Sequence, residues 1–334
     1  MTHIRENGAG IATGVARTAL MVAAARAMET HRQDSLARDE FAEHFVRAAP
    51  ASSDWPVRIE DAPGGDANPL WGRLGRYFGV RTRVLDDLVL ACVRAGARQV
   101  VLLGAGLDTR AFRLDLPAGT VVYELDRPDV LAFKRAVLDG LGAKPVATSR
   151  WIAMDLREDW ASALLAAGFS PAEETVWLAE GLLLYLPATA ERALMAAIDR
   201  LTTGAGTFAF EVKLGVESAA VRGSSVYATA KEQIGVDLLA LFDTEPRPDS
   251  AGDLIGRGWT VSVHSPYEFT VSLGTGLREQ RYDAMAANRW TFATKASRGA
   301  GPRRTRAGCP GTAGRGSPGT RPACRGNRPG SRAR

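Results

Sequence analysis

The chain has 334 residues, 46% of them hydrophobic, enough to bury a large core as one sizeable domain or two small ones. Its net charge of +5 misleads, because ten arginines and no acidic residue lie between Arg298 and Arg334, leaving positions 1–297 with 32 basic against 37 acidic residues, a net of −5. A mildly acidic body argues against a protein built around nucleic acid or an anionic membrane, and three cysteines without CxxC spacing exclude a disulfide framework.

In chain order, residues 14–48 predict two helices, GVARTALMVAAARAMET and SLARDEFAEHFVRAA, the second with Ser35 as N-cap. The run from Ala19 to Ala27 mimics a signal-peptide core, but Glu6 precedes it, Arg17 and Arg26 bracket it, and Leu20, Ala24 and Ala27 recur at helical spacing. No apolar run reaches the ~18 residues of a membrane span, and a cytoplasmic protein is expected. A loop rich in Pro, Gly, Ser and Asp leads to about Asn68. A long, partly buried helical segment follows from Trp71, with apolar residues at Leu74, Phe78, Val84, Leu85, Leu88 and Leu90.

Beyond it, short β-rich runs alternate with helices: RQVVLLGAG, TVVYELD, RWIAMD, TVWLAEG and TFAFEVKL. Such alternation predicts successive βαβ units and an α/β fold with a doubly wound, mostly parallel sheet. A helical stretch from Leu214 to about Phe242 interrupts the pattern. Two last runs, GWTVSVH and RWTFATKA, lie more than twenty residues apart without a clear crossover helix, which predicts an antiparallel pair and seven strands in all. From Arg298 the composition collapses to Arg, Gly, Pro, Ser, Thr and Ala, expected for a disordered tail at 298–334. That tail lacks the interleaved aromatics of a specific nucleic-acid arm.

Ligands of open α/β sheets bind at the carboxyl ends of the strands. The first strand ends in Gly104-Ala105-Gly106, where glycines let the backbone approach a ligand. The second ends in Asp126, an acceptor for two ribose hydroxyls. The third ends in Asp155-Leu156, a carboxylate for an adenine amino group beside an apolar cover, and the fourth in Glu180. Singly, Asp126 and Asp155 read equally well as helix caps and Glu180 as a solvated strand end. Together, at successive strand ends, they read as a site. Thr109 stands where a dinucleotide cradle needs a third glycine, and Asp108 would repel phosphates. The turn therefore argues against a dinucleotide pyrophosphate, while the strand-end acids suit a ribose and an adenine.

The segments VVLLGAGLDTRAFRL, YELDRPDVLAFKRAVL, DLREDW and TVWLAEGLLLYLP, with YFGVRTRVLDD upstream, resemble the leucine carboxyl methyltransferase-like branch of class I S-adenosylmethionine-dependent methyltransferases, and within it a bacterial subgroup. The resemblance runs from about Thr13 to Thr294. It implies S-adenosyl-L-methionine as the cofactor held by the turn after the first strand, and a Rossmann-like methyltransferase domain over 1–297, with an N-terminal helical cap at 14–95 and a core at 99–297 whose helical insertion near 215–245 serves as a lid. It further implies that Asp126 holds the cofactor ribose, Asp155 and Leu156 the adenine, Gly104 and Gly106 the methionine portion, and Arg81 the methionine carboxylate. Glu180 and Tyr185 are the candidate catalytic residues beside a small-molecule acceptor methylated on a carboxylate or hydroxyl. His264 is expected to be structural, and no HExxH or paired CxxC motif points to a metal. The alternatives are a nicotinamide-dependent oxidoreductase on the same fold and a cofactor-binding protein without catalysis.

Overall fold

The computed structural model describes residues 14–216 and 218–297; the expected tail at 298–334 lies outside them. Seven strands form one sheet in the order β3-β2-β1-β4-β5-β7-β6, comprising β1 (Gln99–Leu103), β2 (Val121–Asp126), β3 (Thr148–Ala153), β4 (Thr175–Ala179), β5 (Gly206–Lys213), β6 (Thr260–His264) and β7 (Asn288–Lys295). The first five strands pair in parallel, and β7 runs antiparallel to both of its neighbours. The expected antiparallel pair is present, but β7 inserts between β5 and β6, which leaves the half-exposed β6 at the edge. The connection that permits this contains a helix at Pro266–Ser272, where none was expected. Its signals are local: Ser265 and Glu268 form a capping box, and Pro266 occupies the first turn.

Helices cover both faces of the sheet. Val100 and Leu102 of β1 enter one core with the N-terminal helices, while Val101 and Leu103 enter the other with the helices at Trp160–Ala166 and Ala188–Leu201. This is the period-2 alternation of a strand buried on both sides. Helix α1 (Gly14–His31) is apolar nearly all round, and its Leu20, Ala23, Ala24 and Ala27 are fully enclosed. Its small residues let it lie against the turn after β1: a Cβ on Gly106 would stand 3.6 Å from that of Ala19. The apolar run at Ala19–Ala27 is thus the centre of a packed helix, and among the described residues no helix is long and apolar enough to cross a membrane.

The second N-terminal helix, α2, spans only Ala42–Ala48, and Ser35 caps nothing. Side chains of α1 occupy the backbone that a longer helix would need. Glu29 accepts the Leu36 N–H at 2.6 Å, Thr30 Oγ1 accepts the Asp39 N–H at 2.8 Å, and Arg26 holds the Asp39 carboxylate at 2.8 Å. Asn68 caps the next segment, which starts as a π-helical turn (Pro69–Leu74) and continues as α3 (Gly75–Ala95). The turn after β1 leads only to the four-residue helix α4 (Arg110–Arg113). A helix of four residues following the turn offers a pyrophosphate little of the macrodipole that a long one would.

Strand β2 is followed by α5 (Pro128–Gly140), and the two are joined by a buried ion pair between Lys134 and Glu124. Burial pushes the Glu124 carboxyl up, against the pull of Lys134. Ser149 donates to the same carboxylate at 3.1 Å. Glu124 sits two residues before Asp126 and so shares its face of the strand. Replacing Lys134 with Met would strand the carboxylate in the core. Urea denaturation is expected to show a loss of about 3–5 kcal/mol for Lys134→Met, with most of it recovered in the Glu124→Gln/Lys134→Met double variant.

Candidate active site

One cavity of about 390 Å³ opens at the carboxyl ends of β1, β2, β4 and β5, and all eight of the expected site residues line it: Arg81, Gly104, Gly106, Asp126, Asp155, Leu156, Glu180 and Tyr185. Gly104 and Gly106 turn the chain with φ of +67° and +50°, a conformation open to residues without a Cβ. The Gly106 N–H donates to Asp126 Oδ2 at 2.6 Å, and the Arg127 N–H donates to Oδ1 at 2.7 Å. Burial pushes the Asp126 carboxyl up, while these two donors pull it back. Asp126 does not cap α5 with its side chain, since the N-cap position is Arg127.

Asp155 forms a bidentate pair with the exposed Arg157, at 2.9 and 2.6 Å, which holds its carboxyl below the usual range. It caps no helix, because the following one begins at Trp160 under Asp159. Met154 and Leu156 lie beside it on the cavity wall.

Arg81 is buried on α3 between two strand ends. Its Nε donates to Glu180 at 3.0 Å and its Nη1 to Glu211 at 2.6 Å, while Phe78 stacks against the guanidinium at 4.7 Å. Burial opposes its charge, but Glu180 and Glu211 outweigh it and raise its affinity for the proton. Among the described residues Nη2 has no partner, so two donors remain for a ligand carboxylate. Gly181, at φ +61°, lets the chain pass this guanidinium: a Cβ there would come within 3.2 Å of Nη1.

Glu180 also accepts from Arg110 Nη1 at 3.0 Å. Burial pushes its carboxyl up, yet Arg110 and Arg81 prevail and hold it below the ordinary range. A carboxylate fixed by two guanidinium groups is a weak base. The Tyr185 hydroxyl meets Thr18 Oγ1 at 3.4 Å, and burial raises its pKa, so it is a donor at neutral pH.

Sequence reasoning overlooked several polar residues. Arg110 binds Asp86 at 2.7 Å and also pairs with Asp108. On β5, Glu211 and Lys213 share the cavity face, two residues apart. The Tyr77 hydroxyl donates to Glu211 and accepts from Asn288 Nδ2 at 2.7 Å and Trp290 Nε1 at 3.0 Å. Glu211 extends the series of strand-end acids and was open to the same rule. Arg110 lay inside the LDTRAFRL segment. The cavity is also walled by Met21, Val226, Tyr227, Leu238, Phe242 and Met285. Met21, Val226 and Leu238 therefore face the cavity, whereas Phe41 and Phe45 pack within the protein. His264 pairs with Glu268 at 2.7 Å and does not line the cavity, in line with a structural role.

The leucine carboxyl methyltransferase family model matches residues 19–199. A Streptomyces coelicolor protein named as an S-adenosyl-L-methionine-dependent methyltransferase is 57% identical over 288 residues, covering 86% of this chain and 95% of that one. A Saccharopolyspora erythraea protein of the same designation is 45% identical over 251 residues, covering 75% and 85%. These matches define the class: the protein is an S-adenosyl-L-methionine-dependent methyltransferase on a Rossmann-like seven-stranded sheet. Within that class, the chain belongs to the leucine carboxyl methyltransferase family. The matches favour this class over the nicotinamide-dependent oxidoreductase alternative.

The donor set fits the cofactor. Its carboxylate requires a cation with free donors, as at Arg81 Nη2, and its diol and adenine require buried or half-buried acids, as at Asp126 and Asp155. Because Glu180 titrates below its free value, its ionic contacts stabilise the fold above about pH 4.3, the ordinary glutamate range, and are lost as pH falls through the depressed value. Glu180→Gln is expected to melt below wild type at pH 7, with the gap closing as thermal scans are taken below that range.

Proposed function

We propose that this enzyme transfers a methyl group to a carboxylate or hydroxyl oxygen of a small molecule. The reading rests on a cavity lined both by polar groups at the strand ends and by apolar residues of α1 and of 226–242. In this reading Arg81 binds the methionine carboxylate of the cofactor, Asp126 the ribose, and Asp155 with Leu156 the adenine, while Gly104 and Gly106 allow the close approach. When bound, the cofactor supplies a methyl carbon activated by a cationic sulfur, so the protein's task is to orient and desolvate the reactants.

Glu180 positions Arg81 and Arg110 through ion pairs and moves no proton. Tyr185 lines the cavity and its hydroxyl donates to Thr18 Oγ1. An acceptor oxygen that arrives already ionised needs no base, which favours a carboxylate or an acidic hydroxyl. Residues 14–95 act as the helical cap and 215–245 as the lid over the acceptor; after the short helix α8 (Ala219–Arg222), α9 (Ser225–Ile234) contributes Val226 and Tyr227 to the wall, α10 (Leu238–Leu241) contributes Leu238, and Phe242 follows it. The reaction is placed in the cytoplasm on the grounds of cysteine usage.

Calorimetric titration with S-adenosyl-L-methionine and S-adenosylhomocysteine tests the site. Both are expected to bind wild type, and Asp126→Ala and Asp155→Ala are each expected to weaken binding by about 1–3 kcal/mol, the cost of an unpaired buried partner. Wild-type affinity in both variants would reject the assignment. A screen of small carboxylic acids and phenols with radiolabelled methyl donor then tests the acceptor class.

A further inference from the structure

The cavity lining includes two polar groups that the cofactor does not need. Lys213 closes β5 and is 6% exposed. Its ammonium donates to the carbonyl of Ala284 and, at 2.9 Å, to Asn288 Oδ1. An ammonium carries three donors, so one remains. No carboxylate pairs with it among the described residues, although such a partner is the usual condition for burying a charge. Burial accordingly pulls its pKa down to about 8, against the more distant charges of Glu211 and Asp283. The second group is Tyr227 on α9, 7% exposed, whose hydroxyl has no hydrogen-bond partner among the described residues. A buried hydroxyl without a partner costs on the order of 1–3 kcal/mol and calls for a reason.

Both groups line the same cavity, and Asp283, next to the Ala284 that Lys213 binds, exerts its charge on both. Around them the wall is apolar or aromatic: Phe242 packs against Tyr227 at 6.2 Å and against Tyr185 at 6.0 Å, with Val226, Leu238 and Met285 completing it. We propose that Lys213 and Tyr227 form an oxyanion subsite for the methyl acceptor, which is an apolar molecule bearing a two-oxygen anion such as a carboxylate or a 1,3-dicarbonyl enolate. Two oxygens are needed because an oxygen held by an ammonium is a poor nucleophile; one anchors while the other keeps its electron pair free. The unmatched cation and the orphaned hydroxyl then each gain the partner they lack. The subsite rests on the methyltransferase reading of the cavity, and its test separates the two.

The probes are 3-phenylpropionate and octanoate, each titrated beside its own primary amide, with and without saturating S-adenosylhomocysteine. Wild type is expected to bind each acid about tenfold or more tightly than its amide, the scale of a hydrogen bond to a charged group. Lys213→Met is expected to abolish that preference. So is Lys213→Gln, which keeps a donor for the Ala284 carbonyl and guards against a folding defect. Tyr227→Phe is expected to weaken the acids several-fold while melting at or above the wild-type temperature, since it removes only an unpartnered hydroxyl. An acid preference that survives both Lys213 substitutions overturns the subsite, and so does equal binding, or no binding, of acid and amide in wild type. Failure of S-adenosylhomocysteine to bind wild type would instead reject the cofactor-site assignment, whatever the acids do.

Discussion

A buried guanidinium held between two strand ends organises this molecule. Arg81 reaches from α3 to Glu180 after β4 and to Glu211 on β5, at 3.0 and 2.6 Å, and thereby fixes the helix against the part of the sheet where the cavity opens. Burying such charges is costly unless every member is paired. Here the pairing propagates in both directions. Lys213 donates to Asn288, Asn288 to Tyr77, and Tyr77 to Glu211; on the other side Arg110 joins Glu180 to Asp86 and Asp108, and Arg113 adds to Asp86 at 2.6 Å. The chain of donors and acceptors runs from β7 to the turn after β1. Networks of this kind are rigid because removing any member leaves its neighbour unpaired in a low dielectric.

That rigidity matters for transfer chemistry, which depends on holding reactants in line more than on supplying reactive groups. The arrangement also gives a strand-end glutamate a structural part in the network. Glu180 is held ionised by two arginines and in turn fixes the Arg81 guanidinium at the cavity. The network spends most of its cations on its own acids and, among the described residues, leaves one guanidinium edge and one ammonium proton open in the same cavity. The Ala-rich helix α1 completes the enclosure. Its small side chains bring it close to the β1 turn, and Arg26 secures it by donating to the Leu107 carbonyl at 2.5 Å.

Strand-end residues were legible because the alternation of apolar strands and helices places strand ends without knowledge of packing. Asp126, Asp155 and Glu180 followed from that rhythm, and all three line the cavity. Where the reading went astray, a side chain distant in sequence had taken over a local backbone group. The helix expected from Ser35 starts only at Ala42, since Glu29 and Thr30 of α1 capture the N–H groups of Leu36 and Asp39. The helix at Pro266–Ser272 shows the opposite error, as its capping box was present in the sequence but masked by weak apolar periodicity.

By itself, then, the sequence determined the order of strands and helices, the acids at the strand ends and the kinship to methyltransferases, because each depends on short-range periodicity or on contiguous motifs. Only the tertiary structure decided that β7 enters between β5 and β6, since strand pairing at a sheet edge is set by which connection can cross it. It also decided which charges are paired and which remain open. Arg81 and Glu211 lie 130 residues apart, and Tyr77 and Asn288 lie 211 apart. No local pattern records such a pairing, because the energy that selects it comes from desolvating both partners together in the folded core.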